Sequence, residues 1–500
     1  MTGLGHRMAK GAAWMVLFKV VERSIGLVST IILARLLVPA DFGLIAMAMV
    51  VIAVLETLGS FSFDMALIQN QTAERHHYDT AWTFSVLYAL FSAVALVLLA
   101  GPTAHFYNDP RLESILYCLA IATFVTGFEN IGMVAFRKDL ELNKEFNFLI
   151  TKKLVSFVVT VVLAFTLRNY WALIFGMLAS RITGVLLSYF VHPFRPRFSL
   201  EGWADLFHFS KWMVINNILL FFYHRSVDLI IGKLSGPRAL GLYSIAYEIS
   251  NLPSSQLVAP ITRAVYPGYS KVAADPERLR SGFLKVLALL ALVTVPIGTG
   301  IAVTSDPIVS LFLGPKWIDS SPLIAILAFY GVIQSLQSNT GAVFLALGKP
   351  RILAYLVGLN SVLLVPALAW GASTAGAYGA AWTSLIVSAV LMPVNLLILF
   401  RLIQLNSMEY VKLVYRPIVA AVLMFVSVKA FQHGFVFSPT SADQILKLGG
   451  SVIIGIAMYI LSVLALWKLA GSRNGAEKYM LDKVFNITSK ISPLRKRLIP

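Results

Sequence analysis

The amino-acid sequence predicts an all-α integral membrane protein with about fourteen transmembrane helices. Two pseudo-symmetric six-helix lobes are followed by two further helices. Three observations predict this fold class: the composition, a series of long apolar segments, and an internal repeat. Hydrophobic residues make up 58% of the 500 residues and charged residues 13%, whereas soluble domains contain about 25% charged residues. The mean hydropathy is +0.78, which by itself favours a membrane protein.

Apolar segments follow one another along most of the chain. Each is about 20 residues or longer, which is enough to cross ~30 Å of hydrocarbon as a helix. The first, seventh and eighth are interrupted by charges. The predicted spans are 12–37, 43–68, 80–101, 112–135, 148–168, 170–191, 206–232, 240–266, 282–304, 322–347, 351–371, 375–400, 411–431 and 445–468.

A fifteen-residue stretch occurs twice without gaps, as Ala34–Ala48 and Gly232–Ala246. Each copy joins two apolar segments, so each is predicted to be a tight turn between helices at a membrane surface. Such a repeat indicates a chain built from two similar halves. Because equivalent spans are six apart, the halves point the same way through the bilayer, and such bundles usually hold a substrate path on the axis between them. The residues that recur are Leu36, Pro39, Gly43, Leu44 and Ala48, as Leu234, Pro237, Gly241, Leu242 and Ala246.

The distribution of basic residues predicts the orientation. With both termini in the cytoplasm, most lysines and arginines fall in cytoplasmic segments, which is the positive-inside pattern. We therefore expect a multi-pass membrane protein with both termini in the cytoplasm. The net charge of +17 follows this pattern and does not indicate nucleic acid as a partner. Membrane lipids are the expected partner of the basic C-terminal tail.

The repeat also predicts the domain boundaries. Residues 1–198 form an N-terminal six-helix lobe and residues 199–405 a C-terminal one. Residues 406–470 hold two appended helices, and residues 471–500 form a basic cytoplasmic tail. No nucleotide-binding loop and no Cys/His cluster of zinc spacing occurs in the sequence. We therefore expect no cofactor, no metal and no catalytic residue in this chain.

Ionisable side chains interrupt the segments that the repeat makes equivalent. An ionisable group in hydrocarbon costs at least about 2.5 kcal/mol, so it usually faces a partner or a water-filled cavity. We predict a central cavity lined mainly by spans 1, 2, 7 and 8, which binds a large anionic guest. Its substrate-binding cations are Lys19, Arg23, Arg181, Arg225 and Arg263, and its coupling or counter-ion carboxylates are Glu22, Glu56, Asp64, Asp228 and Glu248.

A structural explanation of these charges competes with the cavity. Glu22 can pair with Lys19 or Arg23 on adjacent turns of one helix, and Asp228 can neutralise Arg225 in the same way. Arg263 lies near a predicted helix end, from which a long side chain can reach the interface. The sequence leaves both explanations open.

Four short motifs of the sequence are Ala34–Gly43, Met65–Gln69, His105–Leu112 and Pro260–Ser270. They resemble motifs of the polysaccharide (O-antigen and colanic-acid-type) flippases of the multidrug/oligosaccharidyl-lipid/polysaccharide exporter superfamily. The resemblance runs from residue 8 to about residue 400. It implies two six-helix lobes around a V-shaped cavity that opens alternately to the two faces, as in multidrug exporters of the superfamily.

The resemblance also implies a substrate and binding residues. Cations on helices 1, 2 and 8 of related lipid flippases hold the pyrophosphate or acidic sugars of a polyprenyl-linked substrate, and Arg23 and Arg263 occupy comparable helices. Span 2 departs from this pattern because it offers Glu56 and Asp64 but no cation. We expect Arg225 on span 7 to supply that charge. The implied partners are a lipid-linked oligosaccharide, a polysaccharide polymerase and its chain-length machinery.

Two other functions are considered. A cation-coupled exporter of drugs or lipid II shares the same superfamily. A membrane-embedded polysaccharide polymerase or ligase belongs to a different class, and such enzymes need a sizeable external loop with catalytic Arg or His. The longest outward connection, residues 304–321, offers only Lys316 and no His. A transporter that flips a lipid-linked oligosaccharide by alternating access is therefore the favoured prediction.

Overall fold

The computed structural model describes residues 2–58, 67–68, 73–201, 203–435 and 441–470. Within these ranges, side chains are described except at residues 2–5, 7–9, 12, 58, 203–224, 259 and 441. The described chain is helical and contains no strand, which confirms the predicted all-α class. It divides into two compact units, the first ending at Ser244 and the second beginning at Ile245.

The first unit begins with two helices that the first repeat connects. A cap of left-handed backbone at Asn108 ends the third helix, and Arg168 does the same for the sixth. The helices are α1 (Thr2–Leu36), α2 (Pro39–Leu58), α3 (Arg75–Tyr107), α4 (Arg111–Thr126), α5 (Val134–Lys138), α6 (Leu142–Leu167), α7 (Trp171–Val191) and α8 (Trp203–Ser250), whose last residues belong to the second unit.

The predicted fourth span, 112–135, is not one straight helix. Helix α4 ends at Thr126, and the chain bends by 66° before Ile131–Lys138. Gly127 lets the chain pass close to α3, because a Cβ at this position would overlap that of Ala89. The side chain of Asn130 then accepts a hydrogen bond from the Gly132 N–H and starts the next turn. Local capping chemistry thus ends the helix inside an apolar run.

The second unit packs around a hydrophobic cluster that includes Phe283, Phe344 and Leu399. Between Pro253 and Pro260, where the sequence predicts a kink, residues Ser254–Val258 form a π-helical turn. The helices of this unit are α9 (Ala259–Val272), α10 (Pro276–Val303), α11 (Ser305–Ile308), α12 (Ser321–Ala346), α13 (Pro350–Leu402), α14 (Ser407–Gly434) and α15 (Ser441–Leu469).

Helix α13 is a hairpin of two limbs. Its 53 residues would extend about 80 Å if straight, but Gly376 adopts a positive φ of 58°. The chain then folds back so closely that a Cβ on Gly379 would overlap the carbonyl oxygen of Gly371. The limbs coincide with the predicted spans 351–371 and 375–400. Helix α8 is likewise broken at Gly236.

Nine helices of the described residues are long and apolar enough to cross a membrane, or ten if the bent pair is one span. The predicted number of fourteen therefore stays a prediction, as do the lobe boundaries at residues 198 and 405. The nine are Pro39–Thr57, Arg75–Tyr107, Leu142–Leu167, Trp171–Val191, Pro276–Val303, Pro315–Ala346, Pro350–Leu402, Ser407–Gly434 and Ala442–Leu469.

Candidate substrate-translocation site

The two repeated turns lie against each other inside the first unit. A Cβ on Gly43 would overlap the carbonyl oxygen of Pro237, and a Cβ on Gly241 would overlap that of Pro39. The second of these would also lie 3.0 Å from the backbone nitrogen of Gly43. The contact is reciprocal, because each glycine meets the proline of the other copy. Only glycine allows the two backbones to approach this closely.

The motif His105–Leu112 connects α3 to α4 beside both turns. A Cβ on Gly232 would lie 2.9 Å from Cε1 of Tyr107. The Lys233 ammonium donates to the Phe106 carbonyl and lies 4.9 Å from the centre of the Phe106 ring. The motif therefore packs against the second turn and supports it. The sequence did not predict this contact, because it joins residues more than 120 positions apart.

Two hydrogen bonds to one carboxylate fix the end of the same motif. Arg111 donates to Asp109 from Nε over 2.9 Å and from Nη2 over 2.7 Å. These hydrogen bonds hold the pKa of the Asp109 carboxyl below its usual range. Asp109 is buried, and its backbone N–H donates to the carbonyl oxygen of Ala104, 3.0 Å away. The segment is thus held as a rigid connection.

Lys19 and Glu22, two of the predicted charges of α1, pair with each other within the helix. The Lys19 ammonium lies 2.8 Å from a Glu22 oxygen, and the lysine side chain is 69% exposed. Arg23, the residue after Glu22, is half-buried. The spacing of three residues is the one expected for a pair on adjacent turns, so the structural explanation of Glu22 applies in this conformation.

Glu56 and Arg181 form an ion pair between two helices. Glu56 lies on α2 and Arg181 on α7, and their closest nitrogen and oxygen atoms are 3.5 Å apart. Both side chains are well exposed, at 58% for Glu56 and 39% for Arg181. Arg181 thus supplies α2 with the cation that its own sequence lacks. On α8, Arg225 pairs with Asp228 at 3.1 Å.

The remaining predicted residues lie in the second unit or outside the described chain. Glu248 is half-buried near the end of α8, and Arg263 is exposed on α9. Arg263 has no hydrogen-bond or ion-pair partner among the described residues, unlike Lys19, Arg181 and Arg225. Asp64 lies outside the described residues. Whether these groups share one cavity stays a prediction.

A cavity of about 590 Å³ lies in the second unit, between α10 and the two appended helices α14 and α15. Its lining is almost wholly apolar. Such a surface accepts a hydrocarbon chain but offers little to a charged guest. Among the described residues, no group of His, Cys, Asp and Glu side chains is arranged to hold a metal ion. The lining includes Ile297, Ile301, Met424, Val428, Val452 and Ile456.

A sequence profile of the family described as "Polysaccharide biosynthesis protein" matches residues 32–322. The lipopolysaccharide biosynthesis protein WzxC of Escherichia coli (strain K12) is 28% identical over 77% of this chain and 80% of that protein. The succinoglycan biosynthesis transport protein ExoT of Rhizobium meliloti (strain 1021) is 23% identical over 91% of this chain and 92% of that protein.

Two solved structures share the fold. The lipid II flippase MurJ in an inward closed conformation superposes with a TM-score of 0.72 at 12% identity, over 91% of this chain and 99% of that one. An inward-facing multidrug resistance transporter of the MATE family and the MOP superfamily gives a TM-score of 0.58 at 14% identity, over 77% and 96%. At these identities the likeness shows the fold alone, and it agrees with the multi-pass membrane architecture.

Proposed function

The chain belongs to the polysaccharide biosynthesis protein family, and from that premise we propose that it flips a polyprenyl-pyrophosphate-linked oligosaccharide across the bacterial inner membrane. It does so by alternating access between the lobes 1–198 and 199–405, with both termini in the cytoplasm. The process is transport without catalysis. The flipped product passes to a polysaccharide polymerase and its chain-length machinery.

One observation carries this proposal: an exposed arginine in the middle of an apolar helix. Arg181 is central in Trp171–Val191, yet its side chain is 39% exposed. Towards lipid, a cation at this depth costs several kcal/mol. A water-filled cavity removes that cost, and Glu56 on the facing helix is only 3.5 Å away. A membrane cavity with a displaceable arginine suits a guest that carries phosphate.

Four of the five predicted cations divide by how they can meet an anion. Lys19, Arg181 and Arg225 each have a carboxylate partner. An anion of the guest must displace this carboxylate or share the cation with it. Arg263 is exposed without one among the described residues, so it can meet the pyrophosphate first. Arginine suits this task because its planar fork binds phosphate oxygens two at a time. The carboxylates Glu22, Asp228 and Glu248 are the candidates for ion coupling.

The proposal is tested in a strain that lacks this chain and carries variants on a plasmid. Arg181→Ala and Arg263→Ala should each lower export about 10-fold or more, the usual effect of losing one charge-assisted hydrogen bond. Lipid-linked oligosaccharide should accumulate. Arg401→Ala is the matched control, because Arg401 is exposed at the end of α13. Normal export by both cavity variants would reject the proposed site.

A double variant separates substrate binding from a structural ion pair. If Arg181 only neutralises Glu56, removing both charges in Arg181→Ala/Glu56→Ala restores export. If Arg181 binds the guest, the double variant stays as defective as Arg181→Ala. Membrane abundance of all variants is measured by immunoblot, so that loss of the protein is distinguished from loss of transport.

A further inference from the structure

Two tyrosines and a glutamine form a neutral polar surface in the second unit. The ring centres of Tyr247 on α8 and Tyr330 on α12 are 6.5 Å apart, inclined by 45°. The Gln334 amide nitrogen donates to the Tyr330 hydroxyl over 2.7 Å. Tyr247 is 39% exposed. We propose that this surface, Tyr247–Tyr330–Gln334, binds the sugars of the substrate. The inference rests on the proposed function and deepens it.

The position of the surface argues against contact with lipid. Tyr247 lies about 16 Å along the helix from the break at Gly236, and Tyr330 lies about 14 Å from the start of α12, at 1.5 Å per residue. Tyrosines that face lipid collect at the two membrane interfaces, where the hydroxyl meets water. An exposed tyrosine beside a half-buried tyrosine and a half-buried glutamine near mid-depth instead indicates a wet cavity wall.

The two helices that carry the surface are held together by small polar residues. Ser250 donates to the Ile324 carbonyl over 3.0 Å, and in the π-helical turn that follows α8 the Ser254 hydroxyl lies 2.7 Å from that of Ser335. These bonds lie on the packed side of the helices, since Ser250 and Ser335 are buried. The tyrosine surface is therefore not needed to join α8 to α12.

Other amides in the same unit have such a joining role. The Gln337 amide donates to the Ser388 carbonyl over 3.4 Å and accepts from Asn395 over 3.1 Å. This bridge links α12 to the second limb of α13, as polar residues commonly do between membrane helices. Gln337 is one turn from Gln334 and has the same side chain, so it is the natural control.

The chemistry of the surface fits a sugar better than a phosphate. A tyrosine ring offers a broad apolar face at low entropic cost, and its hydroxyl and a neighbouring amide donate and accept hydrogen bonds. A sugar ring presents C–H groups on its faces and hydroxyls on its edge, which such groups complement. The adjacent residue, Glu248, carries a carboxylate that would repel a phosphate.

The test compares two lipids on the purified full chain in nanodiscs. One is sugar-free undecaprenyl pyrophosphate. The other carries the complete oligosaccharide and is extracted from the deletion strain. Tyr247→Ala, which removes the ring, and Gln334→Leu, which removes the amide hydrogen bonds, should each weaken binding of the sugar-bearing lipid about 5- to 10-fold. Binding of the sugar-free lipid should not change. Tyr247→Phe keeps the ring and should stay within twofold of the wild type.

The controls make the outcomes distinct. Gln337→Leu and Tyr355→Ala, at a tyrosine that is 76% exposed near the start of α13, should leave the preference for the sugar-bearing lipid intact. Arg263→Ala should weaken both lipids equally. If Tyr247→Ala also weakens both equally, or neither, the sugar site is rejected while the proposed function stands. If the wild type binds neither lipid, both proposals are rejected.

Discussion

The two copies of the repeated turn reach the same contact by different local chemistry. In the first copy, Asp41 accepts the Val38 N–H over 3.0 Å and the Tyr170 N–H over 3.2 Å. The second copy has Ala239 at the position of Asp41, and Gly236, with φ of 79°, at the position of Val38. Val38 does not adopt a positive φ. One turn is thus shaped by a side chain, the other by backbone freedom.

Most of the residues that the copies share are those through which they meet or pack. Gly43 and Gly241 face the proline carbonyls of the opposite copy, and Leu44 and Leu242 are buried. The repeat therefore keeps the residues at the contact positions, while the residues that shape each turn differ between the copies. A substitution in one copy can therefore be compared with the equivalent substitution in the other.

The largest effect is expected at the reciprocal contact. Gly43→Ala and Gly241→Ala each place a Cβ onto a backbone carbonyl that cannot move alone. Each should lower the free energy of unfolding by about 3 kcal/mol or more, the upper range for overpacking. Thermal unfolding in detergent and membrane abundance measure this. Gly26→Ala is the control, since nothing lies within 4 Å of its added Cβ. A copy that tolerates alanine would break the reciprocity.

The next effect should appear in the first copy alone. Asp41→Ala leaves two backbone N–H groups without their acceptor, and Asp41 is buried. We expect a loss of about 2–3 kcal/mol, because hydrogen bonds to a charged group are strong. Ala239→Ser, at the equivalent position, should change stability by less than about 0.5 kcal/mol. Equal losses would mean that Asp41 does not shape its turn.

A smaller effect should appear in the second copy alone. Gly236 combines its φ of 79° with a ψ of 178°, a region that is almost restricted to glycine. Gly236→Ala should therefore cost about 1–2 kcal/mol, although nothing lies within 4 Å of the added Cβ. Val38→Ala, in the first copy, should be close to neutral. A neutral Gly236→Ala would show that strain is absent there.

The smallest effect is a dependence on pH at the segment beside both turns. The pKa of Asp109 is lowered by Arg111. The pair therefore contributes its full stability above the ordinary carboxyl pKa of about 3.9. This contribution is lost as the pH falls below that value, because the unfolded chain binds the proton first. Melting temperatures at pH 3 and pH 6 should differ less in Asp109→Asn than in the wild type.

Much of the fold could be predicted because its signals are local. Apolar segments mark helices along the chain, and the Pro–x–x–x–Gly spacing marks turns. A helix does begin at Pro39, and the helix that contains Pro237 is broken just before it, at Gly236. The end of α4 was missed because Gly127 and Asn130 lie inside an apolar run. Glu56 and Arg181 were each predicted as intramembrane charges, but their pairing was not predictable. They are 125 residues apart, and nothing local links them.

The sugar surface was missed for a related reason. Charge inside an apolar segment is the signal of function that a sequence shows directly, and Tyr247, Tyr330 and Gln334 carry none at neutral pH. Their significance depends on exposure and mutual distance, which only the packed helices define. The assignment of substrate contacts to Lys19, Arg23, Arg225 and the other predicted charges stays a prediction.

The meeting of Gly43 with Gly241 also sets an order for biosynthesis. The two glycines are 198 residues apart, so at about 5–20 residues per second the ribosome delivers the second roughly 10–40 s after the first. During that interval the space beside Gly43 lacks the Pro237 backbone that fills it in the folded unit. Early helices must therefore wait for α8 before the first unit can close, and a chain that stops short of Gly232 never closes it.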